Sequence, residues 1–160
     1  MEGIESLHYP PKAIAAWFVN AIDREAGDLI THLKLQKLLY YAQAWSLVLN
    51  QKALFEEDFE AWTHGPVLPS IYEKYKSKGH SPLDISEEDS DLSEETLALL
   101  QEVMRVYGEK SARHLEKLTH QEKPWLAARG SLPLEARCTN KISKESMLAF
   151  YSEMLVGNEE

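Results

Sequence analysis

Residues 32 to 51, HLKLQKLLYYAQAWSLVLNQ, constrain this chain more than any other stretch. Leu35, Leu38, Leu39, Ala42, Trp45 and Leu49 recur at helical spacing and make one face. Leu33, Tyr40, Ala44, Leu47 and Val48 make much of another. Polar residues are confined mainly to Lys34, Gln36, Lys37 and Gln43. A helix that is apolar on most sides has to be surrounded by other elements. It is expected to be the hub of the fold, with Thr31 as its N-cap.

The remaining segments read as partners for that hub. Pro10-Pro11 opens a first helix, with Ile14, Trp17, Phe18, Ala21 and Ile22 on one face and Gly27 placed to end it. Residues 54 to 62, LFEEDFEAW, hold at most a brief extended piece. Pro66 or Pro69 starts a third helix carrying Leu68, Ile71, Tyr72 and Tyr75, which Gly79 closes. Ser93 or Asp91 caps a fourth helix, with a stripe of Leu97, Leu100, Met104 and Tyr107, ending at Gly108. Ser111 caps a fifth with Ala112, Leu115 and Leu118 inward, a further turn runs from Pro124-Trp125 to Gly130, and Ser143 caps a last helix with Met147, Phe150, Tyr151 and Met154. No repeat is evident. The sum is mainly α: one compact helical domain over residues 1–160, about six to seven helices, at most a short two-stranded β element, and loose ends at about 1–9 and 156–160.

Charge narrows the partners. With 17 basic against 26 acidic residues the net charge is −9, which opposes passive attraction to nucleic acid or anionic membranes and suits a basic protein partner. Eight carboxylates and no lysine or arginine lie between Ser81 and Met104, as either a solvated loop leading into a helix N-terminus or a docking surface for a basic partner. No apolar run approaches a membrane span and no leader is visible at the start, and Cys138 is the single cysteine, so a cytoplasmic location is expected.

Catalytic signatures are incomplete. His114 and His120 bracket Glu116 without the H-E-x-x-H spacing of a zinc protease. His120-Gln121-Glu122 spells H-x-E, but the P-C-x-x-C of a zinc deaminase cannot follow with one cysteine. A hydrolase built on His120 and Glu122 is therefore the weakest reading. No phosphate-binding glycine loop or nucleophile elbow is present. A helix-turn-helix would need a basic recognition helix, and the best candidate, Tyr72 to Lys78, spreads Lys74, Lys76 and Lys78 around its circumference. The expectation is no enzyme, no cofactor and no metal.

The stretch EAWTHGPVLP, residues 60 to 69, concentrates apolar surface in a corner. Trp62 stands three residues before Gly65-Pro66, a strong turn signal. A second proline-borne tryptophan, Trp125, follows Pro124. Gly65, Pro66 and Pro124 read as structural turn residues.

These stretches together resemble a known family. LKLQKLLYYAQAW leads into LFEEDFEAWTHGPVLPSIYEKYK, and YGEKSARHLEKLTHQEKPWLAAR comes later. The chain resembles the Panacea domain family of SocA-like antitoxins, which includes many phage-associated proteins. The resemblance rests on Lys34 to Tyr41, on Glu60, Ala61, Trp62, Gly65, Pro66, Val67, Tyr72 and Tyr75, and on Leu115, Leu118, Thr119, His120, Glu122, Pro124 and Trp125. It implies a non-enzymatic antitoxin that neutralises a cognate toxin encoded nearby, by direct protein contact. One kind of member hands its toxin to a bacterial AAA+ protease. The alternative is a DNA-binding operon regulator from a prophage or mobile element.

Two readings stay open for the motif residues. Trp62 and Trp125 either pack on the central helix at Leu35, Leu39 and Ala42, or line a groove with Tyr41 and Tyr72 that receives a toxin segment. Lys34 and Lys37 are either a solvated edge paired with Glu60 or Glu122, or mark a polar pocket with Gln36 and His120. The candidate partner-binding residues are thus Lys34, Gln36, Lys37, Tyr41, Trp62, Tyr72, His120 and Trp125.

Overall fold

The computed structural model describes residues 3–88 and 91–159, with side chains to 157. Asp89 and Ser90 of the acidic loop, and Met1, Glu2 and Glu160 of the ends, lie outside the described residues. In chain order the elements are α1 (Pro11–Ala21), α2 (His32–Leu49), β1 (Glu60–Trp62), β2 (Gly65–Val67), α3 (Pro69–Tyr75) with a 3-10 turn at Lys76–Lys78, α4 (Glu94–Tyr107), α5 (Ala112–Gln121), α6 (Lys123–Arg129) and α7 (Lys144–Glu159). The domain is mainly α, with one small antiparallel sheet.

α2 is the hub, packing against α1, α3, α4, α5, α7 and β2. Its N-cap is Thr31, whose hydroxyl accepts from Lys34 N, and from Leu35 to Ala44 every residue is buried. Ser93 caps α4 and Ser111 caps α5 by the same i+3 bond. Prolines at the first turns of α1, α3 and α6 remove an N–H that would have lacked a partner.

Several local expectations are corrected. α1 stops at Ala21, six residues before Gly27, because Gly27 closes a separate turn back to Arg24. On α4 the buried face is Thr96, Leu99, Leu100, Val103 and Tyr107, so Leu97 and Met104 lie at its margins. The chain before α1 is tied down: Leu7 and Tyr9 donate to Ala53 O and Leu54 O, and Ala53 N donates to Glu5 O.

The corner EAWTHGPVLP is a β-hairpin. Its turn is Thr63-His64, while Gly65 and Pro66 lie in β2, with Glu60 opposite Val67, Ala61 opposite Pro66 and Trp62 opposite Gly65. Proline is tolerated in a strand where no N–H is needed. Ala61 supplies that condition. Its N–H goes to Asn140 O and its carbonyl to Arg129, both away from Pro66. Ile142 N donates to Phe59 O, so residues 140–142 cover the outer side of β1.

Candidate functional site

The motif residues converge on this hairpin from three elements. α2 supplies hydrogen-bonding tips along two rows. In the first, Gln36 accepts from Leu68 N at 2.8 Å and donates through Nε2 to Leu68 O at 3.2 Å. Gln43, two turns on and on the same face, does the same for Leu54 N and Phe55 O. The two glutamines mimic a strand, latching the chain at both ends of the segment that carries β1 and β2. In the second row, Lys34 donates to Gly108 O and Lys37 to Pro66 O at 3.1 Å. Further along, Tyr41 donates to Glu122 Oε1 at 2.6 Å and Trp45 Nε1 donates to Tyr107 OH at 2.9 Å. These partners explain how a buried helix carries polar residues, since an unpartnered buried group costs about 1–3 kcal/mol.

Lys37 is fully buried, and burial lowers its ammonium pKa to about 7, with Glu116 opposing the shift. Neither expected lysine–carboxylate pair forms with Glu60 or Glu122; both lysines donate to backbone carbonyls. β2 closes over Lys37 through Gly65, at φ +110°, where a Cβ would sit 2.6 Å from Lys37 Cε.

α6 grips the other strand, β1, while α5 packs on β2. Trp125 Nε1 donates to Trp62 O at 2.8 Å. Arg129, one turn later and 3% exposed, donates to Ala61 O, Pro133 O, Leu134 O and Ala136 O. Its guanidinium lies 4.8 Å over the Trp125 ring, and His120 stacks on Trp125 at 4.1 Å and 12°. One arginine thus binds β1 to the loop before α7.

Beneath the hairpin lies a tyrosine cluster. Glu122 Oε1 accepts from Tyr41 and from Tyr151 (2.9 Å), and the hydroxyls of Tyr151 and Tyr40 are 3.1 Å apart. Tyr41 stacks on Tyr107 at 4.1 Å and 9°. Burial pushes Glu122 up from the ordinary carboxylate value, against the two tyrosine bonds that lower it. Burial, followed by the Glu122 charge, pushes the Tyr41 hydroxyl far up.

The expected site residues therefore divide. Gln36, Lys37, Tyr41 and Trp125 are buried, so their side chains offer no surface to another chain in this structure. Lys34, Trp62, Tyr72 and His120 keep partial exposure. Trp62 and Tyr72 form a pair, ring centroids 4.8 Å apart, with Trp62 Nε1 donating to Glu60. The open groove of four aromatics is not assembled. His120 and Glu122 serve different neighbours: the carboxylate is turned into the tyrosine cluster, while the imidazole lies flat on Trp125 with a buried Nε2 that has no partner among the described residues. Burial lowers the His120 pKa.

On α3 and the turn after it, Lys74 pairs with Glu88, Lys76 with Glu73 and Lys78 with Asp84. Among the described residues, no three His, Cys, Asp or Glu side chains gather to hold a metal, and no helix is long and apolar enough to cross a membrane. Arg129, Gln43 and His32 were missed from sequence. Arg129 had a signal: it lies four residues after Trp125, on the same helix face.

The fold and the hairpin define a class: a small helical domain whose motif residues lock a β-hairpin onto a central helix. The chain belongs to the SocA-like antitoxin family, Panacea domain, whose model matches residues 35–126. That range holds both glutamine latches, the hairpin, the acidic loop and Trp125. The chain is also similar to Antitoxin SocA of Caulobacter vibrioides (strain NA1000 / CB15N), at 44% identity over 50 residues, covering 31% of this chain and 27% of that protein. No solved structure matches.

Proposed function

We propose that this chain is an antitoxin that neutralises a cognate toxin by direct protein–protein contact and catalyses no reaction. The observation that carries the reading is the family match over residues 35–126, more than half of the chain. The use of the motif side chains agrees with it: Gln36, Lys37, Tyr41, Glu122, Trp125 and Arg129 are occupied in holding the hairpin and the core. The net charge of −9 suits a basic toxin. Of the candidate contact residues, Lys34, Trp62, Tyr72 and His120 are the ones with surface to offer. Delivery of the toxin to a AAA+ protease in the cytoplasm is the finer form of the proposal. Binding to DNA as an operon regulator is the poorer reading, since the α3 lysines already face carboxylates.

The test is co-expression with the product of the neighbouring reading frame. Restored growth and co-purification of the two proteins are expected. Toxicity left unrelieved, with no complex recovered, overturns the proposal.

A further inference from the structure

The 17 lysines and arginines of this chain fall into three groups. Lys12, Lys74, Lys76, Lys78, Arg105 and Lys144 pair with carboxylates. Arg24, Lys34, Lys37 and Arg129 donate to backbone carbonyls. The rest have no ion-pair partner among the described residues, and more than half of these, Lys110, Arg113, Lys117 and Lys123, lie on or beside α5. Lys52, Arg137 and Lys141 lie outside the helices. On α5, Arg113, His114, Lys117 and Gln121 are exposed while Leu115 and Thr119 are buried, so its outer face is basic. Arg113 and Lys117, four apart, are neighbours on that face. Lys110 precedes the Ser111 cap and Lys123 begins α6, at the two ends of the helix.

Carboxylates are nearly absent from this sector of an acidic chain. α5 packs mainly on α2, β2 and α6. Those three hold no aspartate or glutamate. α5 holds one, Glu116, which His64 engages at 2.7 Å. Of the two glutamates flanking the helix, Glu122 is turned into the tyrosine cluster. Glu109 is exposed, and lines a cleft with Asp23, Asp28 and Lys34.

The order of charge along α5 also opposes its dipole. α4 begins with Glu94 and Glu95 and has Arg105 in its last turn, as the dipole favours. α5 has no acid in its first turn, where Arg113 and His114 add to the positive end. The fold gains nothing from that placement, whereas an anionic ligand would be held by it. Size selects the anion. α5 has 10 residues and is about 15 Å long. A nucleic acid carries its charge on past such a patch and meets the acidic remainder of a chain of net charge −9. A short acidic stretch of polypeptide meets the stripe alone.

We propose that the outer face of α5 docks an acidic segment of a partner protein, with its carboxylates paired to Arg113 and Lys117. The proposal does not rest on the antitoxin reading. It assigns a second contact, opposite in sign to the basic toxin that the net charge suits.

The test titrates the full chain with a fluorescein-labelled peptide of about three helical turns bearing glutamates at i and i+4, and with a twin bearing glutamines. Anisotropy gives the affinity, and backbone amide resonances give the place. Saturable binding that weakens with salt is expected, with shifts centred on residues 111–117 and a twin at least about tenfold weaker. The double variant Arg113→Gln, Lys117→Gln should bind the glutamate peptide at least about tenfold more weakly. Its urea midpoint should match or exceed that of wild type, since both side chains are exposed and a cation leaves the first turn. Lys52→Gln, at an exposed cation elsewhere, should bind as wild type does.

Absence of saturable binding at low salt, equal affinity for the two peptides, or a double variant that binds like wild type would each overturn the proposal. So would a duplex oligonucleotide that binds the same residues more tightly than the peptide, which would assign the stripe to nucleic acid. Self-association of wild type that the double variant abolishes would assign it to a second copy of this chain, and would overturn the proposal equally.

Discussion

Lys37 occupies the space in which a side chain at residue 65 would have to begin. A Cβ on Gly65 would meet Lys37 Cε at 2.6 Å and Thr119 Oγ1 at 3.0 Å, at a φ of +110° that L residues rarely adopt. The hairpin comes this close to α2 because position 65 is a glycine, and that approach puts Pro66 O within reach of the lysine.

Gly65→Ala should therefore cost about 2–3 kcal/mol, from backbone strain plus displacement of a buried lysine. Gly27→Ala, also at positive φ (+92°) but with open space around it, should cost less. Urea denaturation of the two variants checks the order. Equal losses would show that the clash with Lys37 contributes nothing.

His32 should make the domain sensitive to mild acid. Leu68 N donates to Gln36 Oε1, which turns the Gln36 amide nitrogen toward His32 Nε2, 3.0 Å away. That nitrogen must accept, so the ring is neutral, and burial, with Lys37 second, lowers its pKa to about 4. Between about pH 6.5 and 4 the unfolded chain binds a proton there that the native state does not. Stability is thus complete above 6.5 and falls as pH drops through that window. Glu122, with its raised pKa, acts in the opposite sense, so the comparison is between wild type and His32→Phe. The variant's urea midpoint should fall less steeply from about pH 7 to 4.5.

Lys37 gives the complementary dependence at higher pH. Its folded pKa of about 7 lies below the unfolded value of 10.5, so the unfolded state binds the extra proton between them. The cost of burying the ammonium is complete below about pH 7 and is relieved as pH rises. The stability of wild type relative to Lys37→Met should therefore improve from pH 7 to 9, by up to about 1.4 kcal/mol per unit. A difference independent of pH would mean that the lysine is charged throughout.

Arg129→Lys should cost about 2–4 kcal/mol, because an ammonium cannot reach carbonyls on both β1 and the 133–136 loop at once. Its signature is local. The amide of Ala136, which donates to Pro133 O, should exchange with solvent faster than in wild type. Loss of stability without loosening of that loop would argue that the arginine acts only through its contact with Trp125.

Much of the architecture was legible because it depends on local pattern. The apolar circumference of residues 35–49 required a surrounded helix, and Thr31, Ser93 and Ser111 each cap the helix expected of them. Gly65-Pro66 was misread as the turn itself. Glycine and proline report backbone preference, and the same preferences serve a strand when the N–H of residue 66 is not needed and residue 65 must lie against a side chain. Partial exposure separates Trp62 from Trp125, yet both stand in comparable proline-bearing motifs; nothing local tells them apart.

The sequence by itself determined a central helix, its caps, the helices that must cover it and a family. These follow from periodicity and residue chemistry along a short stretch of chain. Only the tertiary structure decided that Lys37, Gln36 and Tyr41 face inward to carbonyls and a carboxylate, and that Leu49 and Val106 are left exposed. Those outcomes depend on which elements meet across long separations, and a polar tip on a helix looks the same in sequence whether its partner is water or a carbonyl far along the chain.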